Sequence, residues 1–162
     1  MRQLLVTLCI LFTTGLFAQT AQDNKEILIP VNDLFRGMAT GDSALVHSCF
    51  AGTPTMITVF KNKEGAPEMR SGSLQKFLDA VGTPHEQKWN EPIWDVKIQM
   101  DGNLAQVWAK YAFYLGKEFS HCGVDAFQLF KGADGKWRIF HLADTRQKEA
   151  CNVPPAIASS IK

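Results

Sequence analysis

Little in this sequence stands in excess. Seventeen lysines and arginines face sixteen acidic residues, for a formal net charge of +1. A surface built to track phosphates is therefore missing, and nucleic acid is not an expected partner. Histidine occurs four times, at His47, His85, His121 and His141, without the spacing of a zinc site, so no metal is expected. There is no glycine-rich phosphate loop, no dinucleotide fingerprint and no Gly-x-Ser-x-Gly elbow, and no cofactor is expected. Four cysteines are too few for a disulfide-dense miniprotein. Beyond residue 18 no apolar run approaches the ~20 residues a spanning helix needs. What remains, 46% hydrophobic, 10% aromatic and 20% charged, suits one globular domain.

The first eighteen residues read as a leader. Met1-Arg2-Gln3 is a short positive start, Leu4 to Phe17 is apolar, and Ala18-Gln19 offers a cleavage point, the pattern of a secretory signal peptide. The expected location is exported, periplasmic or secreted, with no membrane span after cleavage. Loss of Arg2 leaves the remainder neutral, and loss of Cys9 leaves Cys49, Cys122 and Cys151. Export permits a disulfide; three reduced, packed thiols are the alternative.

Residues 19–26 are polar and read as a flexible lead-in to a single domain spanning 27–151. Ile27, Val31, Leu34, Phe35 and Met38 recur at helical spacing, and Gly41 supplies a stop. Asp42 can cap a short helix with Leu45, Val46 and Cys49, and Ser73 a third with Leu74, Phe77, Leu78 and Val81. Between them lie a strand over Thr55–Phe60 and a short return near Met69. After Pro84 strands follow one another: Pro92–Met100, Leu104–Leu115, Cys122–Lys131 and Lys136–Thr145. Asp101-Gly102 is the strongest hairpin signal among them. Residues 152–162, with Pro154-Pro155, read as a loose tail. Helices first and antiparallel hairpins afterwards predict an α+β fold, with helices on one face of a curved sheet.

Register then sorts the side chains. A two-residue turn at Asp101-Gly102 sets Trp94, Val96 and Ile98 beside Ala105, Val107, Ala109 and Tyr111. A four-residue turn at 132–135 sets Asp125, Phe127 and Leu129 beside Phe140, Leu142 and Asp144. The turn at 116–120 leaves the middle register open; joining the two apolar sets is the choice that concentrates apolar residues. The shared face then carries Tyr111, Asp125 and Asp144, with His121 and Arg146 toward one end. Trp108, Tyr114, Trp137, Ile139 and His141 fall on the outer face, a surface for a homodimer or aromatics half-covered by loops. Cys122 lies near the end of the last strand, so a Cys122–Cys151 bridge could tie back the tail, leaving Cys49 free.

The runs Ala105-Gln106-Val107-Trp108-Ala109-Lys110-Tyr111, His121-Cys122-Gly123-Val124-Asp125-Ala126-Phe127-Gln128-Leu129, Gly135-Lys136-Trp137-Arg138-Ile139 and Asp144-Thr145 carry a resemblance. Over roughly Glu26 to Cys151 the chain resembles the nuclear transport factor 2-like superfamily, in its SnoaL-like and putative lumazine-binding branch. That resemblance implies about three N-terminal helices packed on a strongly curved antiparallel sheet around a conical pocket. The pocket candidates are Trp94, Tyr111, His121, Asp125, Phe127, Phe140, Asp144 and Arg146. Ketosteroid isomerases of the superfamily pair a carboxylate base with a tyrosine and a protonated aspartate. Tyr111, Asp125 and Asp144 are of those types without matching that motif position by position. Three functions follow as expectations: binding of a small apolar or aromatic molecule; proton-transfer catalysis (isomerase, cyclase or dehydratase-like) by Asp125, Asp144 and Tyr111; or a dimeric interaction module with a collapsed pocket. In the bland alternative Asp144 pairs with Arg146, and Asp125 caps the backbone or faces water.

Overall fold

The computed structural model describes residues 19–161; the leader assignment lies outside them. Thr20 starts the first helix. Its hydroxyl accepts from the Asp23 N–H (3.1 Å), and the Asp23 carboxylate accepts from the Thr20 N–H (2.8 Å), a reciprocal capping box. Helix α1 therefore runs Ala21–Thr40, and the expected lead-in at 19–26 is mostly its opening turns. Pro30 sits inside the helix. The missing N–H is tolerated because the stripe Ile27, Val31, Leu34 and Met38 is buried against the sheet. Gly41, at φ 70°, ends α1 in the left-handed conformation. Asp42 caps α2 (Ser43–Ser48) by accepting the Leu45 N–H at 2.9 Å. Helix α3 spans Leu74–Gly82.

The strands are β1 (Phe50–Lys61), β2 (Pro67–Ser71), β3 (Trp89–Asn90), β4 (Ile93–Asp101), β5 (Leu104–Leu115), β6 (Glu118–Lys131) and β7 (Trp137–Arg146). They form one sheet in the order β2-β1-β7-β6-β5-β3, with β4 also on β5. The pairs are antiparallel except β1 with β7, which run parallel. The helices cover one face, where Val107, Phe127, Leu129 and Ile139 meet the buried side of α1 together with Val46 and Val81. Register breaks in the β1–β7, β4–β5, β5–β6 and β6–β7 pairings bend the strands around that layer. Among the described residues no helix is long and apolar enough to cross a membrane.

Three register expectations change. The first hairpin pairs Asp101 with Leu104, so Gly102-Asn103 forms the turn. Ile98 and Met100 still face the core, but Asp95 takes φ 53° in a bulge between Trp94 and Lys97. That bulge turns Trp94 to the outer face and brings Ile93 opposite Tyr111. The last hairpin pairs Lys131 with Trp137, which buries Trp137 and Ile139 in the core rather than outside. The alternation resets across Phe140, the extra residue between Ile139 (opposite Leu129) and His141 (opposite Gln128). Phe140 therefore leaves the face it was expected to share with Leu142.

The segment after β7 also differs from a loose tail. Cys122 and Cys151 form a disulfide with Cα atoms 5.8 Å apart. A short helix, α4 (Pro155–Ser160), follows. Trp94, Cys151, Val153 and Ile161 pack over Ala112, Tyr114 and Cys122 on the outer face, so Tyr114 is buried there. Cys49 is the free, buried thiol among the described residues, and burial raises its pKa to about 12. The bridge spans a sequence separation of 29, so Cys151→Ala should lower the unfolding free energy by about 2–4 kcal/mol. Urea denaturation without reductant reads this; a loss below about 1 kcal/mol would show that the bridge does not restrain the unfolded chain as the loop-entropy account requires.

Candidate functional site

Between the helices and the sheet lies a cavity of about 620 Å³. Its apolar wall combines Leu34, Phe35 and Met38 of α1, Phe77 of α3, Trp89 of β3, Phe113 of β5, Phe127 of β6 and Leu142 of β7. Trp89 meets Phe113 edge-on at 5.8 Å. Its ring also stacks on His85 at 4.4 Å, which fixes the indole plane. Arg70, Ser71, Gly72, Ser73 and Lys76, all exposed, line the open side.

The deep end is polar. Asp125 on β6 lies directly opposite Asp144 on β7. The two carboxyls have very different surroundings. Asp144 accepts from the Thr58 hydroxyl (2.6 Å) and from Arg146 Nε (2.7 Å). The Tyr111 hydroxyl lies 3.3 Å from it but only 2.9 Å from the Thr145 carbonyl. One hydroxyl carries one proton, and the shorter contact places it on Thr145. Asp125 is 3% exposed, and its Oδ2 is buried without a hydrogen-bond partner. Burial first, then the nearby Glu91 and Asp144 carboxyls, raises its pKa well above the ordinary range.

Glu91, between β3 and β4, is a third carboxyl on this wall. Burial and the Asp144 charge raise its pKa to about 8. Sequence reasoning missed it, because Asn90-Glu91-Pro92 reads as a connection between strands. The available signal was Pro92, which holds the preceding residue extended and so keeps Glu91 in line with β4. Thr58, which satisfies Asp144, was also missed; it arrives through the parallel pairing of Thr58 with Asp144. His121 contacts Phe113 and Tyr111 with ring centroids 5.1 and 5.7 Å apart. Desolvation, aided by the Arg146 charge, lowers its pKa to about 4. Of the eight pocket candidates, Tyr111, His121, Asp125, Phe127, Asp144 and Arg146 line this cavity. Trp94 and Phe140 do not, for the two bulges already described.

A helical layer on a strongly bent sheet, enclosing a cavity with its carboxyls at the deep end, is the nuclear transport factor 2-like fold. The family described as "Putative lumazine-binding" matches residues 22–142, and the chain belongs to that family. Solved structures agree in fold. An NTF2-like protein of unknown function from Shewanella baltica superposes with TM-score 0.60 at 17% identity, covering 82% of this chain and 99% of the other. A protein described as a putative ketosteroid isomerase, from Shewanella frigidimarina, gives TM-score 0.52 at 19% identity, covering 77% and 94%. One described as a putative dehydratase, from Streptomyces avermitilis, gives 0.57 at 15%, covering 78% and 96%. At these identities the likeness concerns the fold. Among curated proteins none matches the chain.

Two predictions follow from this geometry. Gly123 faces the β7 backbone so closely that a Cβ would overlap the Thr145 carbonyl oxygen, the oxygen that accepts from Tyr111. Gly123→Ala should therefore cost about 1–3 kcal/mol of stability by forcing β7 away; an unchanged urea midpoint would contradict the contact. The second concerns pH. Raised carboxyl pKa values contribute stability that is complete below the unfolded values and is lost as pH rises through the folded ones. His121 acts oppositely: its contribution holds above the unfolded value of 6.5 and is lost as pH falls toward about 4. Between pH 6.5 and about 8 the carboxyls dominate, so Tm should rise as pH falls through that window. Glu91→Gln should flatten the slope; an unaltered slope would remove Glu91 from the account.

Proposed function

We propose that this protein, after export, binds a small apolar or aromatic molecule in the cavity between its helices and its sheet. The observation that carries the reading is the cavity itself: about 620 Å³, with aromatic and aliphatic walls between a carboxyl-bearing deep end and an open polar rim. That is the usual build of a small-molecule site. The same volume argues against a ligand-free module, which needs the pocket collapsed. The family description points the same way. Export rests on the leader pattern at residues 1–18 and fits the Cys122–Cys151 bridge.

A second reading, proton transfer, is favoured by one specific pairing. Asp125, held toward its protonated form, faces an Asp144 whose oxygens are filled by donors, so an acid and an acceptor share one cavity. Tyr111 contributes little as a donor there, because its proton lies on Thr145 O. The protein also pairs with a second copy through the outer sheet face. Trp108 is 51% exposed on that face, and the exposed pair Leu104 and Phe130 lies further along the same strands beyond Gln106 and Gln128, apolar surface of the kind that marks interfaces.

Native mass spectrometry of protein expressed with residues 1–18 present tests ligand and assembly together. The expected result is a dimer mass with one small organic molecule per protomer, released on denaturation. Leu142→Trp, which fills the cavity, should abolish that molecule. Protein that carries nothing and gives no fluorescence with the neutral apolar probe N-phenyl-1-naphthylamine would overturn the binding reading.

A further inference from the structure

We propose that the cavity selects molecules with an aromatic or apolar body and one cationic amine head, the head seated against Asp125 with Glu91 beside it. This inference rests on the binding reading above and assigns the chemistry of the ligand.

Donors and acceptors are unevenly matched at the deep end. Three donors are engaged within the chain: the Thr58 hydroxyl and Arg146 Nε on Asp144, and the Tyr111 hydroxyl on the Thr145 carbonyl. The His121 Nδ1 is in contact with the Ser120 hydroxyl at 3.0 Å. The acceptors are not engaged in the same way. Asp125, nine-tenths and more buried and lining the cavity, has an oxygen with no partner. Buried polar groups are ordinarily paired, and a carboxyl left unpartnered at a cavity wall is open to a donor carried by a ligand. Charge points in the same direction. At the deep end three carboxyls, Glu91, Asp125 and Asp144, share the wall with one guanidinium, Arg146, whose Nε is bonded to Asp144. A ligand carboxylate at the deep end would meet three carboxyls, whereas an ammonium supplies both opposite charge and N–H groups for the unpartnered Asp125. The aromatic walls, Trp89 and Phe113 among them, suit the body and present ring faces or edges near the head.

Proton balance follows. In the empty cavity burial and mutual repulsion favour the acid forms of Asp125 and Glu91. When an ammonium enters, the carboxyl that receives it gives its proton to solvent, and the ion pair forms with one proton released. Amine affinity should therefore rise with pH, while that of a neutral analogue should not. The charged or titratable groups facing this end are Glu91 before β4, Tyr111 on β5, His121 and Asp125 on β6, Asp144 and Arg146 on β7, and Lys148 after it. Arg70 on β2 and Lys76 on α3 stand at the open side.

The test is calorimetric titration of the full chain with tryptamine and 2-phenylethylamine. The comparison probes are the matching alcohols, tryptophol and 2-phenylethanol, and the acid indole-3-propionate. At about pH 8 the amines should bind at least about tenfold more tightly than the alcohols, and the acid most weakly. Between about pH 6 and about pH 9 the amine advantage should grow, and buffers of different ionisation enthalpy should report proton release. Asp125→Asn should erase the advantage, and Glu91→Gln should reduce it. Circular dichroism and N-phenyl-1-naphthylamine binding verify that each variant is folded. Alcohols binding as tightly as amines, or an advantage that survives Asp125→Asn, would overturn the amine head and leave the binding reading intact. N-phenyl-1-naphthylamine binding without amine binding has the same meaning. Failure of every probe, the dye included, would overturn both.

Discussion

Two aspartates face each other across adjacent strands inside a largely apolar cavity, and the surrounding structure is organised by how each is accommodated. Asp144 is supplied with donors from two directions, Thr58 on the parallel strand and Arg146 on its own strand, while the Tyr111 hydroxyl of β5 donates to the neighbouring Thr145 carbonyl. Asp125 receives no donor at its inner oxygen and is held toward the neutral form. Like charges this close in a poorly solvated site cannot both persist. Satisfying one and neutralising the other is the physical resolution, and it makes the cavity asymmetric. The same hydrogen bonds run from β1 through β7 to β5, so the polar end also cross-ties the sheet.

That cross-tie depends on close backbone approach. Gly123 pairs with Tyr111 on one side and lies against the Thr145 carbonyl on the other, leaving the Tyr111 hydroxyl within reach of β7. A side chain at 123 would separate the strands where the polar groups must converge.

Much of this was legible in the residue pattern, and the exceptions share a cause. Strict alternation along β5 and β6 placed Tyr111, Asp125 and Phe127 on one face, and the helical spacing of Ile27, Val31 and Leu34 located the covering layer. Alternation fails where a strand gains a residue. Asp95 and Phe140 each reset the faces, sending Trp94 outward and Trp137 and Ile139 inward. A bulge at a non-glycine residue has no reliable local signature, because its backbone is imposed by the paired strands. Glu91 escaped notice because its importance comes from a fold that curls the β3–β4 connection over the cavity. The Thr20–Asp23 capping box was visible in principle, but it begins a polar turn ahead of the first buried residue.

The disulfide has a consequence for which thiols can pair. Three thiols follow the leader, and any two of them could in principle be joined. In the folded chain Cys49 is enclosed in the core beneath α1 and α2 while Cys122 and Cys151 meet on the outer face. The fold therefore separates the odd thiol from the pair, and a mispaired chain could not bury Cys49 and close the outer face at once.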